Sequence, residues 1–157
     1  MRTPENDLRR LREYYSLWHD TVILYENWAR LHGLTYNSLT VLLAISGGED
    51  SPCTQKSIAE RHALPKQTVN NILKEFRVQG LLELVPVDTD RRNKEIVLTD
   101  RGRVFSAQVL GELQEVELSA VGEMDEGKME AMIEGMDNPA GLPELRIGSW
   151  HLQAAFR

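Results

Sequence analysis

The sequence predicts a mainly α-helical fold with one small β-hairpin. Three observations point to it. Apolar residues recur at a spacing of three and four through most of the chain. The period drops to two only after Gly80, over about twenty residues. Glycine, proline and hydroxyl residues stand where helices would begin and end.

Taken in order, Asn6 to Leu31 reads as one long helix. Leu11, Tyr14, Tyr15, Trp18, Val22, Tyr25, Trp28 and Ala29 draw a single, heavily aromatic stripe, and Gly33 ends it. A second helix is expected over Tyr36 to Ile45, capped by Thr35. "SGGEDSPC" reads as a loop. A third helix starts at Thr54, with Ile58, Ala59 and Leu64 inward. "LPKQTVNNILKEFRVQGLL" reads as a fourth, with Pro65 in its first turn and Gly80 just past its end. Val69, Ile72, Leu73 and Phe76 form its buried stripe. Leu82 and Leu84, then Ile96 and Leu98, alternate with polar or exposed neighbours, which predicts a hairpin. Thr99 caps a fifth helix with apolar Val104, Phe105, Val109, Leu113, Val116 and Leu118. A last short helix is expected over Asp125 to Met136, with Met129, Met132, Ile133 and Met136 along one side. The tail from 138 to 157 has no clear period, but its Trp150 and Phe156 favour docking over disorder.

The bulk numbers set limits. With 157 residues and 41% hydrophobic content, the chain can bury one core. No apolar run approaches the ~18 residues of a membrane span, so no membrane partner is expected. The first residues lack the apolar stretch of a secretory signal, and the single cysteine, Cys53, allows no internal disulfide. A cytoplasmic location is the expectation. No phosphate-binding glycine loop, H-E-x-x-H or paired cysteine motif occurs, so neither an enzyme nor a cofactor is expected. His19, His32, His62 and His151 are scattered, and none has a partner at metal-ligand spacing.

Charge is unevenly placed. The formal net charge is -6. Yet residues 54–103 hold ten Lys and Arg against seven Asp and Glu, a net of +3. Residues 104–139 hold nine acids and one cation, Lys128. The local field, not the total, decides which surface meets a polyanion. The order helix, short turn, helix, hairpin is that of a winged helix-turn-helix. Its second helix fits a DNA major groove about 12 Å wide and shows polar side chains to base edges. Lys66, Gln67, Thr68, Asn70, Asn71 and Lys74 occupy the open face of that helix, with Lys56 on the helix before it. At the hairpin tip, adjacent cations Arg91, Arg92 and Lys94 gain nothing hydrophobic, but they suit the negative potential of a minor groove. Asp90 can hold Arg92 by charge-assisted hydrogen bonds. Arg77 is placed either to touch phosphate or simply to face solvent.

The segments "TQKSIAERHALPKQTVNNILKEFRVQGLLEL" and "DTDRRNKEIVLTDRG" carry a resemblance. The region from His32 to Arg103 resembles the MarR (multiple antibiotic resistance regulator) family of bacterial transcription factors. The family wing ends in D-x-R, a strand, then "LT" and glycine; here these are Asp90, Arg92, Leu98, Thr99 and Gly102. The resemblance implies a homodimer on a palindromic double-stranded DNA operator, with interlocking N- and C-terminal dimerization helices. It divides the chain into a dimerization helix (1–34), a winged helix-turn-helix DNA-binding lobe (35–98), C-terminal dimerization helices (99–137) and a tail (138–157). Leu11, Tyr15, Tyr25, Val109, Leu113, Val116, Met129 and Ile133 are the expected dimerization residues. Tyr14, Trp18, His19 and Val22 are the expected lining for a small phenolic or aromatic effector. The function implied is a sequence-specific repressor released by such an effector.

Two alternatives remain from the sequence. Winged helices also serve as protein–protein adaptors without DNA, although an adaptor has no need of Arg91 and Arg92. Cys53 stands just ahead of a helix N-terminus, which lowers a thiol pKa, so a thiol redox-sensing regulator is the other.

Overall fold

The computed structural model describes residues 3–47, 52–87 and 90–137; for residues 87, 90–93, 136 and 137 it describes the backbone alone. The order is α1 (Pro4–Leu31), α2 (Tyr36–Ser46), α3 (Gln55–Arg61), α4 (Lys66–Val78), β1 (Leu82–Val87), β2 (Asp90–Leu98), α5 (Asp100–Gly122) and α6 (Glu126–Asp137). The expected fold class is therefore observed: among the described residues there are six helices and one antiparallel hairpin. The reading of the tail falls on residues 138–157, outside the described residues. The chain divides into two units, Met1–Leu39 and Thr40–Arg157. The turn after α1 is tied back to that helix. Leu34 N–H donates to the Ala29 carbonyl at 2.8 Å, and Gly33 takes a left-handed backbone (φ 72°) to allow it.

In the first unit, α1 begins at Thr3, whose hydroxyl accepts the Asn6 N–H at 3.3 Å. Pro4 and the acids Glu5 and Asp7 suit that first turn. Only Tyr25 and Ala29 of α1 are buried; Leu8, Leu11, Tyr15, Leu17 and Leu24 stand exposed. Thr35 caps α2 as expected, accepting the Ser38 N–H at 3.1 Å.

The second unit is built on α4. Val69, Ile72, Leu73 and Phe76 are all buried, as their spacing predicts. Each such side chain contributes about 1.5–3 kcal/mol by leaving water. Leu42, Ile58, Ala59, Leu81, Leu82 and Ile96 of the same unit are buried as well. Thr54 caps α3 in a reciprocal box with Ser57. Gly80, at φ 71°, turns the chain out of α4 into the hairpin. The strands run in register from Leu82 opposite Leu98 to Pro86 opposite Lys94. The register then shifts, and Val87 faces Asp90. The expected loop through Cys53 is instead paired at its end. Ile96 N–H donates to the Cys53 carbonyl at 2.8 Å, and Thr54 bridges Glu95. The segment ahead of α3 thus adds a short third edge to the wing. No local pattern announces this, because the partner strand lies forty residues away.

The "LTDRG" segment is the mechanical joint of this unit. Thr99 accepts the Gly102 N–H at 3.0 Å and donates its hydroxyl to the Gly80 carbonyl at 2.6 Å. Its own N–H donates to the Leu81 carbonyl. Gly102 lies so close to Leu81 that a Cβ there would come within 2.8 Å of the Leu81 carbonyl carbon and overlap its oxygen.

Candidate nucleic-acid interface

With one side of α4 committed to the core, its other side is left to solvent. Lys66, Gln67, Asn71 and Lys74 are exposed there; Gln67, Asn71 and Lys74 follow one below another at steps of four and three, with Lys66 to one side. Thr68 and Asn70 flank this face and are half-buried. Pro65 takes the position just before the helix, not within its first turn as the sequence suggested, and supplies no side-chain cap. The first-turn N–H groups of α4 therefore have no capping side chain. Lys66, Lys74 and Arg77 outnumber the one acid, Glu75, on this helix. Gln67 and Asn71 are joined: Gln67 Nε2 donates to Asn71 Oδ1 at 2.9 Å.

Lys56 is exposed on α3, 3.9 Å from Glu60. An exposed pair this loose is worth at most about 1 kcal/mol, so the lysine can exchange its partner for a phosphate at little cost. On the wing, Lys94 is exposed opposite Pro86. Asp90, Arg91 and Arg92 belong to the backbone of β2; their side chains lie outside what is described. The proposed Asp90–Arg92 contact is therefore not at issue in the geometry.

Two positioning residues escaped the sequence reading. Gln55 Nε2 donates to the Lys66 carbonyl at 3.1 Å, tying the start of α3 to the start of α4. Arg103 Nη1 donates to the Leu98 carbonyl at 2.7 Å, and Nη2 pairs with Asp100, which fixes the root of the wing on α5. A helical wheel shows both as ordinary surface polar residues. Only the fold supplies their partners.

The other expected groups sort as follows. Tyr14, Trp18 and Val22 share one face of α1, and His19 lies beside them and is exposed. Tyr14 touches Tyr15 with ring centroids 5.7 Å apart. Among the expected dimerization residues, Tyr25, Val109 and Leu113 are already buried within the single chain. Leu11, Tyr15, Val116 and Ile133 are exposed, and Met129 is half-buried. Cys53 is buried, 7% exposed, in the segment beside β2. Among the described residues, no group of His, Cys, Asp and Glu is gathered that could hold a metal, and no helix is long and apolar enough to cross a membrane.

Comparison with known proteins agrees with this geometry. A MarR family model matches residues 32–93. The HTH-type transcriptional regulator SarZ of Staphylococcus epidermidis is 29% identical over 90 residues, covering 57% of this chain and 60% of its own. The chain thus spans less than two thirds of the curated relatives it first matches. A solved MarR family regulator from Neisseria meningitidis is 27% identical with a TM-score of 0.66, over 85% of this chain and 91% of that one. MepR of Staphylococcus aureus, solved as a DNA complex, has the same fold: TM-score 0.66, 21% identity, 78% of this chain and 93% of that one. The helix order, the wing joint at Thr99 and Gly102, and these likenesses together give the chain the winged-helix fold of MarR-family regulators, with the family match itself lying on residues 32–93.

Proposed function

We propose that this protein is a dimeric, sequence-specific DNA-binding repressor acting on a palindromic operator. One observation carries the reading: α4 commits its apolar side to the core and turns Lys66, Gln67, Asn71 and Lys74 outward as one cationic, amide-bearing face. Such a face matches the donors and acceptors of a major groove. Lys94, exposed on β2, adds a cation suited to phosphate, and Arg91 and Arg92 belong to the same strand, residue types suited to the negative potential of a minor groove. The DNA complex of MepR supports the assignment by analogy of fold.

Two-fold pairing follows from DNA geometry. Recognition helices about 34 Å apart meet successive turns of one duplex face. The exposed Leu11, Tyr15, Val116 and Ile133 supply apolar area for such a pairing. A small aromatic effector held near Tyr14, Trp18, His19 and Val22 would release the DNA by favouring another spacing of the lobes, for a coupling of only ~1–3 kcal/mol.

The test is binding to the DNA upstream of its own gene, by fluorescence anisotropy at several salt concentrations. Salt-sensitive binding is expected, with footprints in two half-sites. Arg92→Ala should lose about 1–3 kcal/mol if the wing enters a groove. A variant that binds as the parent does removes the wing from the interface. Titration with phenolic acids that leaves affinity unchanged removes the effector step.

A further inference from the structure

The joined amides on α4 carry a more specific reading, which rests on the DNA-binding role above. We propose that Gln67 reads an adenine in the major groove and that Asn71 is its positioning residue, holding the Gln67 amide in the reading orientation.

Gln67 is the second residue of α4, in the turn where a recognition helix meets base edges. Asn71 follows one turn later on the same exposed face. The hydrogen bond from Gln67 Nε2 to Asn71 Oδ1, at 2.9 Å, uses one of the two amide protons. What remains on Gln67 is one proton on Nε2 and the whole carbonyl oxygen. That is one donor beside one acceptor. Adenine presents the complement, N7 to accept and the N6 amino group to donate. Guanine presents two acceptors, so its O6 would face the Gln67 carbonyl oxygen. Thymine presents one acceptor and a methyl group, and cytosine one donor; neither satisfies both remaining atoms.

A free glutamine can flip its amide and accept a different base, and it loses rotamer freedom on binding. The bond to Asn71 biases both options in advance: a flip of Gln67 alone would set its carbonyl oxygen against Asn71 Oδ1, and only a joint flip of both amides restores a bond, then donated by Asn71 Nδ2. Asn71 itself retains its two N–H protons for a phosphate. Lys66 and Lys74, exposed on either side of the pair, are placed to anchor the backbone around it. A pair serving only helix stability would have no bearing on base preference. A Gln–Asn bond one turn apart also steadies a helix, so base preference, and not stability, separates the two roles.

The experiment selects binding sites from a randomised duplex pool with the full-length parent, Gln67→Ala, Asn71→Ala and the double variant. Both residues are exposed, and thermal melts check that each variant folds. The parent should show an adenine preference at one symmetric pair of positions. Gln67→Ala should lose about tenfold to a hundredfold of that preference while keeping the preferences elsewhere. Asn71→Ala should relax the same position, and adding it to Gln67→Ala should change nothing further. Replacing the selected adenine by 7-deazaadenine, which lacks the N7 acceptor, should weaken the parent but not Gln67→Ala.

Unchanged preference in Gln67→Ala, or a uniform loss on all duplexes, overturns the adenine assignment and leaves the DNA-binding role standing. Additive effects of the two substitutions overturn the positioning role of Asn71. A parent that enriches no duplex overturns the DNA-binding role and this inference together.

Discussion

Ala63 carries a backbone strain that the sequence does not reveal. It turns the chain between α3 and α4 at φ 45°, the one residue other than glycine with a positive φ among those described. A Cβ makes that region unfavourable, and glycine relieves it. Ala63→Gly should therefore raise stability, by up to about 1 kcal/mol, measured by urea unfolding. Gly102 is the opposite case. Its missing side chain lets α5 touch Leu81, so Gly102→Ala should cost about 1–3 kcal/mol, as overpacking does. Gly111 in the same helix has open space around it, and Gly111→Ala should gain about 0.5–1 kcal/mol in the same assay. Tyr36 gives a pH prediction. Burial, with a smaller contribution from the Glu26 carboxylate, raises its phenol pKa above the ordinary 10.0. The unfolded chain then releases the proton first. The stability is full below pH 10 and declines as pH rises through the folded pKa. Tyr36→Phe should abolish that part of the alkaline loss, seen by comparing denaturation midpoints at neutral pH and above pH 10.

Among the elements, the capped starts were the most legible. Thr3, Thr35, Thr54 and Thr99 each accept an N–H three residues on, and all but Thr3 stand where the sequence placed a cap or a helix start. Such residues favour helix starts because their short side chains satisfy backbone donors that have no helical partner. Thr99 does more than cap, since it also binds the Gly80 carbonyl. Thr99→Ala should thus cost about 2 kcal/mol, at the upper end for a cap, while Thr99→Ser should recover most of it. Thermal unfolding followed by circular dichroism measures both. The third edge of the wing was not legible. Cys53 and Thr54 join β2 through two backbone groups, and backbone pairing leaves no mark on side-chain periodicity.

For the whole molecule, the governing feature is charge placed against the overall sign. A chain of net charge -6 carries a net +3 over residues 54–103, which include α3, α4 and the wing, and nine acids against one cation over residues 104–139. If the proposed function holds, affinity for duplex DNA should fall linearly on a log–log plot against salt. Lys74→Ala should weaken binding to all duplexes alike and lower that slope by about 1, unlike Gln67→Ala, which should act on one base. Sedimentation at several protein concentrations would show whether the exposed apolar residues of α1, α5 and α6 pair two chains.

By itself the sequence determined the helices, the hairpin and the outward face of α4, because each follows from which residues within a few positions must leave water and which need not. It also placed Asp90, Arg91 and Arg92 on the wing. Only the tertiary structure decided which polar residues position that face. Gln55 reaches Lys66 across a turn, Arg103 grips the end of β2, and Gly102 admits the Leu81 backbone. It also decided that Tyr25, Val109 and Leu113 are spent inside one chain. These contacts depend on distances between segments, and a one-dimensional pattern of apolar and polar residues records no such distances.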